Sequence, residues 1–408
     1  MTSEAIPGIA NFSPRERITH VLAGAPGPEA TFGRLIPPEK SLFEPNSDTA
    51  DVLAARKDHD RMTQEFRNRG IEVFNMRNII GIKLAEVMKH KFDTPFKLLA
   101  ELVRRAEQLK KSYGLNGSMD QVAGELESLL KLDMESMGIP AALAINSALT
   151  NCMDIQTGLE RPFSYDDPPP ANFLFWRDTL HVTGNQVGLN KMFYPIRQQE
   201  VALAKLGLDQ LGVNYSKIAK GSIEGGDVMP WEIQNTRFAA LGRAERTSPA
   251  GMKSWYEMHE SLFSFSGEGL IPVVIEGPTS NTQDQMHLDT YMAQVAAEAI
   301  IHCPEITGQR QISYLTRRHG EIVKIDTQNF AYWIEANALH VFNMSRQAQL
   351  AYAPNVLVDR DIVYITRDGT PEVTDFIKEH AVTVELHSNE LTKFYGGAHC
   401  ATTEIRAF

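Results

Sequence analysis

The sequence predicts a mixed α/β fold in which similar strand-and-helix units surround a centre, with one all-helical module set into the chain. Three observations predict it. A strand, loop, helix, strand unit near the N-terminus returns near the C-terminus as strand, strand, helix, strand. Residues 77–160 carry their apolar side chains at helical spacing. Four short segments rich in acids, glycine, histidine or cysteine lie scattered along the chain, as loops converging on one site would.

The first unit begins with Ile18-Thr19-His20-Val21-Leu22, which alternates like a strand and breaks between Gly24 and Pro28. A polar loop leads to Leu42-Phe43-Glu44-Pro45. Val52, Ala55, His59, Met62 and Phe66 then fall at helical spacing until Gly70 stops the helix, and Ile71 to Phe74 is a strand. In the helical module, Thr94-Pro95 is an N-cap with a first-turn proline, and Leu98, Leu99, Leu102, Val103, Ala106 and Leu109 form a stripe ending at Gly114. A second helix starts near Ser118, turns Val122, Leu126, Leu129 and Leu130 inward, and closes at Gly138 to Pro140. Residues 1–76 and 161–408 therefore form an α/β domain and 77–160 an inserted helical domain. From Glu321 onward, Ile322 to Ile325, Ala338 to Phe342 and Ile362 to Ile365 read as strands. Asp368-Gly369 is a turn, Pro371 to Glu379 a helix and Val382 to Leu386 a strand.

Composition bounds the function. With 408 residues, 43% hydrophobic and 22% charged, the chain has ample material for a core. A net charge of -11 argues against nucleic acid or an anionic membrane as partner and suits a small cationic substrate. Cys152, Cys303 and Cys400 are odd in number and lack pairing or metal spacing, so free thiols in a reducing cytoplasm are expected. No segment has the length and apolarity of a membrane span.

The chemistry-bearing segments start at the C-terminal end, Tyr395-Gly396-Gly397-Ala398-His399-Cys400. Two glycines free the backbone, which would present Cys400 at a pocket rim with no helix burying it. Cys400 is the candidate nucleophile; the plainer alternative is an inert packed thiol. After Pro168 to Pro170, Asn172-Phe173-Leu174-Phe175-Trp176-Arg177-Asp178 reads as a buried strand ending in a charged pair. On a strand Arg177 and Asp178 would point to opposite faces, so only one can serve a pocket; a surface ion pair is the alternative. Arg197 follows, leading into a helix that reaches roughly Leu211. Ile223-Glu224-Gly225-Gly226-Asp227-Val228 reads as a tight bend that admits a close neighbour, with Glu224 facing inward, or else as an acidic hairpin turn. Arg197 and Arg246 would hold a carboxylate if they meet. In Met286-His287-Leu288-Asp289-Thr290, strand spacing would put His287 and Asp289 on one face. The pair could be half of a metal site, but no further His or Cys cluster completes one, so no metal and no cofactor are expected.

Asn-x-x-Phe-x-Arg-Asp, Glu-Gly-Gly-Asp, Met-His-Leu-Asp-Thr and Gly-Gly-x-His-Cys, in this order and with a helical insertion before the first, resemble arginine deiminase of the guanidino-group modifying (amidinotransferase) superfamily. The resemblance spans nearly the whole chain, including the helical insertion that smaller relatives such as dimethylargininase lack. It implies a five-bladed α/β propeller with a central site and an inserted helical bundle, and conversion of arginine to citrulline and ammonia through a covalent Cys thiouronium. By the same resemblance Cys400 is the nucleophile, His287 the general acid and base, Asp178 and Asp289 the guanidinium clamp, and Glu224 the residue orienting the histidine. Arg197, Arg246, Asn172, Phe175 and Asp227 fall at the substrate-binding positions, Cys152 and Cys303 are structural, and a homo-oligomer is expected.

The residue types make chemical sense of this. A guanidinium is a poor electrophile that must be held in place while a thiolate attacks it, and two carboxylates can grip it by paired hydrogen bonds. The chain also departs from the family pattern. Leu42-Phe43-Glu44-Pro45 stands where Leu-Phe-Asp-Asp is usual, and Lys393, Phe394 and Tyr395 where more glycine and an arginine are common. Trp176 replaces a small polar residue, and the stretch from Asp227 to Arg246 is longer. These differences touch the outer end of the substrate, so amidino transfer, or hydrolysis of arginine to ornithine or of a modified arginine, stays open. A non-catalytic arginine-binding protein and a papain-like peptidase are the readings from other classes.

Overall fold

Among the described residues, each of five sheets repeats one pattern: an antiparallel pair of strands, then a connection to a third strand that runs parallel to the second. A parallel partner cannot be reached by a tight turn, so every such connection has room for helix, and this is why the apolar periodicity alternates along the chain. The computed structural model describes residues 11, 13–37, 50–87, 93–114, 118–150, 169–266, 269–278, 282–366 and 370–406.

β1 (Ile18–Ala23) pairs in parallel with β2 (Glu72–Asn75), with the helix Val52–Asn68 between them in sequence. Asp51 caps that helix by accepting from the Ala54 N–H, and Gly70, at φ +77°, turns the chain back. β3 (Leu180–Thr183) and β4 (Gln186–Leu189) form the second antiparallel pair, which β5 (Ser216–Lys217) joins after the helix Gln198–Gln210. β6 (Val228–Ile233), β7 (Thr236–Arg243) and β8 (Ile271–Glu276) repeat the pattern around the helix Pro249–His259. β9 (Met292–Ala296) and β10 (Ala299–His302) make the fourth pair. The hairpin of β11 (Gln311–Arg318) and β12 (Glu321–Asn329) then adds to the edge of β8, and β13 (His340–Asn343) returns parallel to β10. β14 (Leu357–Asp359), β15 (Ile362–Thr366) and β16 (Val382–Leu386) complete the fifth set around the helix Pro371–His380. β17 (Thr402–Arg406) pairs antiparallel with β1, so the first sheet is finished by the end of the chain.

Among the described residues, the helices Met76–Val87, Pro95–Tyr113, Met119–Met137 and Ile139–Leu149 stand between β2 and the second sheet. Thr94 accepts from the Lys97 N–H and Gly114 ends its helix at φ +64°, as the sequence anticipates. Leu98, Leu102, Ala106, Leu109, Leu126 and Leu130 pack into one cluster. A buried ionic network ties these helices to the α/β part. Arg77 donates to Glu29 at 2.9 Å and to Asp133 at 2.8 Å, and Arg56 donates to Asp133 at 2.8 Å. Two cations face two anions with the Asn146 amide filling in, so no single charge is left unpaired in a dry interior.

Three local expectations are corrected. Asn172 to Asp178 is not a strand but two 3-10 turns, Ala171–Leu174 and Trp176–Thr179. Phe173 and Trp176 are fully buried, so the aromatic content reports burial rather than extension. His287 likewise heads a 3-10 turn, Leu288–Thr290, in place of a strand. Cys400 is not held at an open rim: it lies in a single helical turn, Ala398–Ala401, and is 3% exposed. The residue taking the left-handed backbone there is Tyr395, at φ 66°, and not either glycine. Leu42 to Pro45, Cys152, Pro168 and Asp368-Gly369 lie outside the described residues.

Candidate active site

The leading strand of every sheet is preceded by a turn, and these five turns supply the polar residues that meet. Asp178 lies ahead of β3, Glu224 to Asp227 ahead of β6, His287 and Asp289 ahead of β9, Asn355 ahead of β14 and Cys400 ahead of β17. Asp178, Asn355 and Cys400 each stand in the last but one position before their strand. All are buried. Adjacent turns pack so closely that only glycine fits at some positions. A Cβ on Gly225 would come within 2.1 Å of the Arg177 carbonyl oxygen, and one on Gly226 within 2.7 Å of His287 Nδ1. The bend expected from Glu-Gly-Gly-Asp is thus where the histidine approaches the backbone.

His287 Nε2 lies 3.0 Å from Glu224 Oε2, and its Nδ1 is 3.6 Å from Asp178 Oδ1. On the other side, Asp289 Oδ2 is 3.6 Å from Cys400 Sγ and 2.7 Å from His399 Nδ1. Asn355 Nδ2 donates to Cys400 Sγ at 3.0 Å. Arg177 and Asp178 diverge, as expected, though on a turn: Arg177 donates to the His399 carbonyl at 2.7 Å and pairs with Glu404, while Asp178 faces His287. Arg177 therefore braces the turn that carries Cys400 from behind.

Among the described residues, three polar atoms at this meeting point are buried without a hydrogen-bond partner: Asp178 Oδ1, Asp289 Oδ1 and His287 Nδ1. Leaving such atoms bare costs about 1–3 kcal/mol each or more for charged groups, so their clustering marks a place built for a polar ligand, with the two carboxylate oxygens open to its hydrogen-bond donors.

The expected substrate-binding residues divide. Arg197 and Arg246 do meet, but on Glu224 Oε2, at 3.4 and 3.3 Å. Arg197 is further occupied by Glu200, at 2.7 Å, and by Asp178, at 3.0 Å. Arg246 lies 4.6 Å over the Tyr194 ring and near Glu245. Asp227 has both oxygens committed, to Thr247 Oγ1 at 2.6 Å and to the Leu288 N–H at 3.1 Å, so it anchors the turn that carries His287. The Phe175 ring packs on Gly396, where a Cβ would come within 2.2 Å, and Asn172 accepts from the Phe175 N–H through its carbonyl at 2.8 Å. Cys303 sits in the main apolar core.

The electrostatics follow from this crowding. Burial disfavours the His287 imidazolium, but Asp178 and the Glu224 hydrogen bond outweigh it and lift the group to about 9. Burial pushes Glu224 up, yet Arg246, His287 and Arg197 together draw it well below the usual carboxylate range. Burial pushes the Cys400 thiol well up, reinforced by Asp289 and Asp178 and opposed by the Asn355 hydrogen bond. Asp289 is lowered despite burial, chiefly by His399. Burial raises Asp227 to about 7 against the opposing pull of His287. One atom each of Asp178, Glu224 and His287 lie within 4.8 Å of one another, close enough for a divalent ion. Arg197 and Arg246 already supply positive charge to that cluster, and Glu224 Oε2 and His287 Nε2 are bonded to each other. The donor set is therefore compensated by protein cations.

Sequence reasoning missed Asn355, His399 and Glu200. Asn355 gave no local signal, because the strand it precedes, Leu357–Asp359, is only three residues long and is not marked in the sequence.

A family model for arginine deiminase matches residues 46–406. The arginine deiminase of Streptococcus sanguinis (strain SK36) is 23% identical over 414 residues, covering 95% of this chain and 96% of its own. That of Streptococcus pneumoniae (strain P1031) is 23% identical over 419 residues with the same coverage. Among solved structures, a cysteine-to-serine mutant of DDAH from Pseudomonas aeruginosa, complexed with citrulline, has a TM-score of 0.53 at 11% identity over 95% of this chain and 100% of its own. An amidinotransferase of the saxitoxin biosynthetic pathway from Microseira wollei has a TM-score of 0.53 at 13% identity, over 98% and 97%. These likenesses show a shared mixed α/β fold. Among the described residues, no helix is long and apolar enough to cross a membrane.

Proposed function

The chain belongs to the arginine deiminase family, and from that premise we propose that it hydrolyses the guanidino group of L-arginine to a ureido group, giving citrulline and ammonia. The observation that carries the reading is the set of unpartnered buried atoms on Asp178, Asp289 and His287 beside the Cys400 sulfur. Two carboxylate oxygens without donors suit a planar cation whose N–H groups point outward in a fork.

The cycle uses these groups in turn. A guanidinium lying between Asp178 and Asp289 offsets the two anions that hold the thiol protonated, so substrate binding promotes the Cys400 thiolate. Sulfur attacks the guanidino carbon. His287, held as imidazolium by Glu224 and Asp178, gives its proton to the departing nitrogen, and ammonia leaves a thiouronium on Cys400. The now neutral His287 takes a proton from water as that water adds to the same carbon. Collapse breaks the carbon–sulfur bond, releases the remaining hydroxyl proton to solvent, where it is taken up by the free ammonia, and returns the thiolate and citrulline. Glu224 orients the imidazole, Asp227 anchors the turn that carries His287, and Arg197, Arg246, Asn172 and Phe175 shape the amino-acid end of the site; Arg197 acts there mainly by holding Asp178.

The five sheets are read as five propeller blades around this site, and residues 77–160 as an inserted helical domain. A cytoplasmic location and a homo-oligomeric assembly complete the reading.

The test is incubation with L-arginine alone, with citrulline, ornithine and ammonia quantified, then again with glycine or lysine added. Citrulline and ammonia in equal amounts without an acceptor is the expected result. Ornithine as the product, or a new guanidino compound formed only with the amine present, would overturn it.

A further inference from the structure

We propose that Asn355 is a catalytic residue that presents the Cys400 thiolate, and is the contribution of the fifth sheet to the site. The inference rests on Cys400 being the nucleophile. Its basis is the orientation of one amide. Asn355 Oδ1 accepts from two backbone N–H groups of the nucleophile's turn, Gly397 at 2.9 Å and Cys400 at 3.1 Å. Its Nδ2 donates to the Asp289 carbonyl oxygen at 3.3 Å and to Cys400 Sγ at 3.0 Å. Two donors on one side and a carbonyl on the other leave the amide only one sensible orientation, with its NH2 toward sulfur.

That orientation does two things. The oxygen caps the first N–H groups of the helical turn Ala398–Ala401, which fixes the direction of the cysteine Cα–Cβ bond. The nitrogen places a hydrogen-bond donor on sulfur, and such a donor favours thiolate over thiol because a neutral thiol sulfur is a weak acceptor. Asp178 and Asp289 both act against ionisation at this position. Asn355 opposes them, and an amide does so without adding a cation that would repel the guanidinium. An arginine or lysine there would stabilise the thiolate equally well but exclude the substrate. Gly397 has no Cβ because one would fall 2.9 Å from Asn355 Oδ1, so the close approach of the amide is built into both partners.

The test compares wild type with Asn355→Asp, which keeps the capping oxygen and replaces the donor toward sulfur by an oxygen. Cys400 alkylation by iodoacetamide is followed across pH, with the modified peptide identified by mass spectrometry. The expected result is a rise in the apparent thiol pKa of about one unit or more, seen as at least a roughly tenfold slower alkylation at neutral pH. With L-arginine, kcat falls at least about tenfold while KM stays within about threefold. Asn355→Ser, which also removes the amide donor, carries the same expectation should the aspartate variant not fold. Wild-type alkylation and turnover in a folded variant would overturn the proposal. Failure of both variants to fold would overturn it too, making the residue a structural cap alone. Cys400→Ser separates the two readings: retained turnover there would remove the nucleophile assignment itself.

Discussion

Replacing Glu224 by glutamine removes a charge from beneath the histidine while keeping its shape. Glu224 Oε2 is 3.0 Å from His287 Nε2, and the same oxygen accepts from Arg197 and Arg246. His287 is raised from 6.5 to about 9, a preference for the imidazolium of roughly 3 kcal/mol. Asp178 and Glu224 share that work. With Glu224 neutral, Asp178 keeps its part, but Arg197 and Arg246 now face the ring without their common anion and push the same way. The His287 pKa is therefore expected to fall by about one unit or more. In the proposed cycle ammonia departure needs the imidazolium, so the alkaline limb of kcat/KM for citrulline formation should move toward lower pH by that amount. The assay is the pH profile of kcat/KM, from about pH 6 to pH 10, in both proteins. Stability follows the same sign. A group raised on folding contributes fully below its unfolded value of 6.5 and loses that contribution as the pH climbs through about 9, and Glu224→Gln should narrow this window. An alkaline limb that stays at its wild-type position in the glutamine variant would refute the assignment of Glu224 as the support of His287.

Three further outcomes follow from particular contacts. Gly226→Ala places a methyl 2.7 Å from His287 Nδ1, and kcat should drop on the order of a hundredfold by steady-state kinetics, with a lower thermal midpoint from the buried overlap. Arg77→Ala leaves Glu29 and Asp133 buried without their shared cation and should cost about 3–5 kcal/mol in urea unfolding. On the proposed reading, in which Arg246 holds the carboxylate of the substrate, Arg246→Ala should raise KM for L-arginine at least about tenfold with kcat less affected, by steady-state kinetics.

Elements whose ends are written in local chemistry were legible from sequence. The Thr94 cap and Gly114 stop, the Gly70 stop after Phe66, and the helix from Pro371 all stand where the residues place them. The strands of the last unit did too, because Ile362 to Ile365 and Val382 to Leu386 combine β-branched content with clear boundaries. The site segments misled in shape. Asn172 to Asp178 and His287 to Asp289 look extended because their aromatic and apolar residues are buried, yet both are tight turns whose backbone is set by neighbouring turns. Their grouping was legible, since Glu224, His287, Asp178, Asp289 and Cys400 do converge. Arg197 shows where residue types fall short: its i,i+3 spacing to Glu200 announces one partner, but only the fold brings Asp178 and Glu224 to the same guanidinium. Asn355 shows the same limit, because an asparagine in a turn carries no sign of the sulfur that only the fold brings to it.

The central claim is that the Cys400 sulfur becomes covalently bonded to the guanidino carbon of the substrate. The most direct measurement is rapid acid quenching of enzyme mixed with excess L-arginine, followed by mass spectrometry of the peptide containing Cys400. The account predicts a transient adduct on Cys400 with the mass of arginine less ammonia, rising before steady-state citrulline release and absent in Cys400→Ser. Citrulline released at the full rate with Cys400 unmodified at every quench time, or by the serine variant, would contradict it.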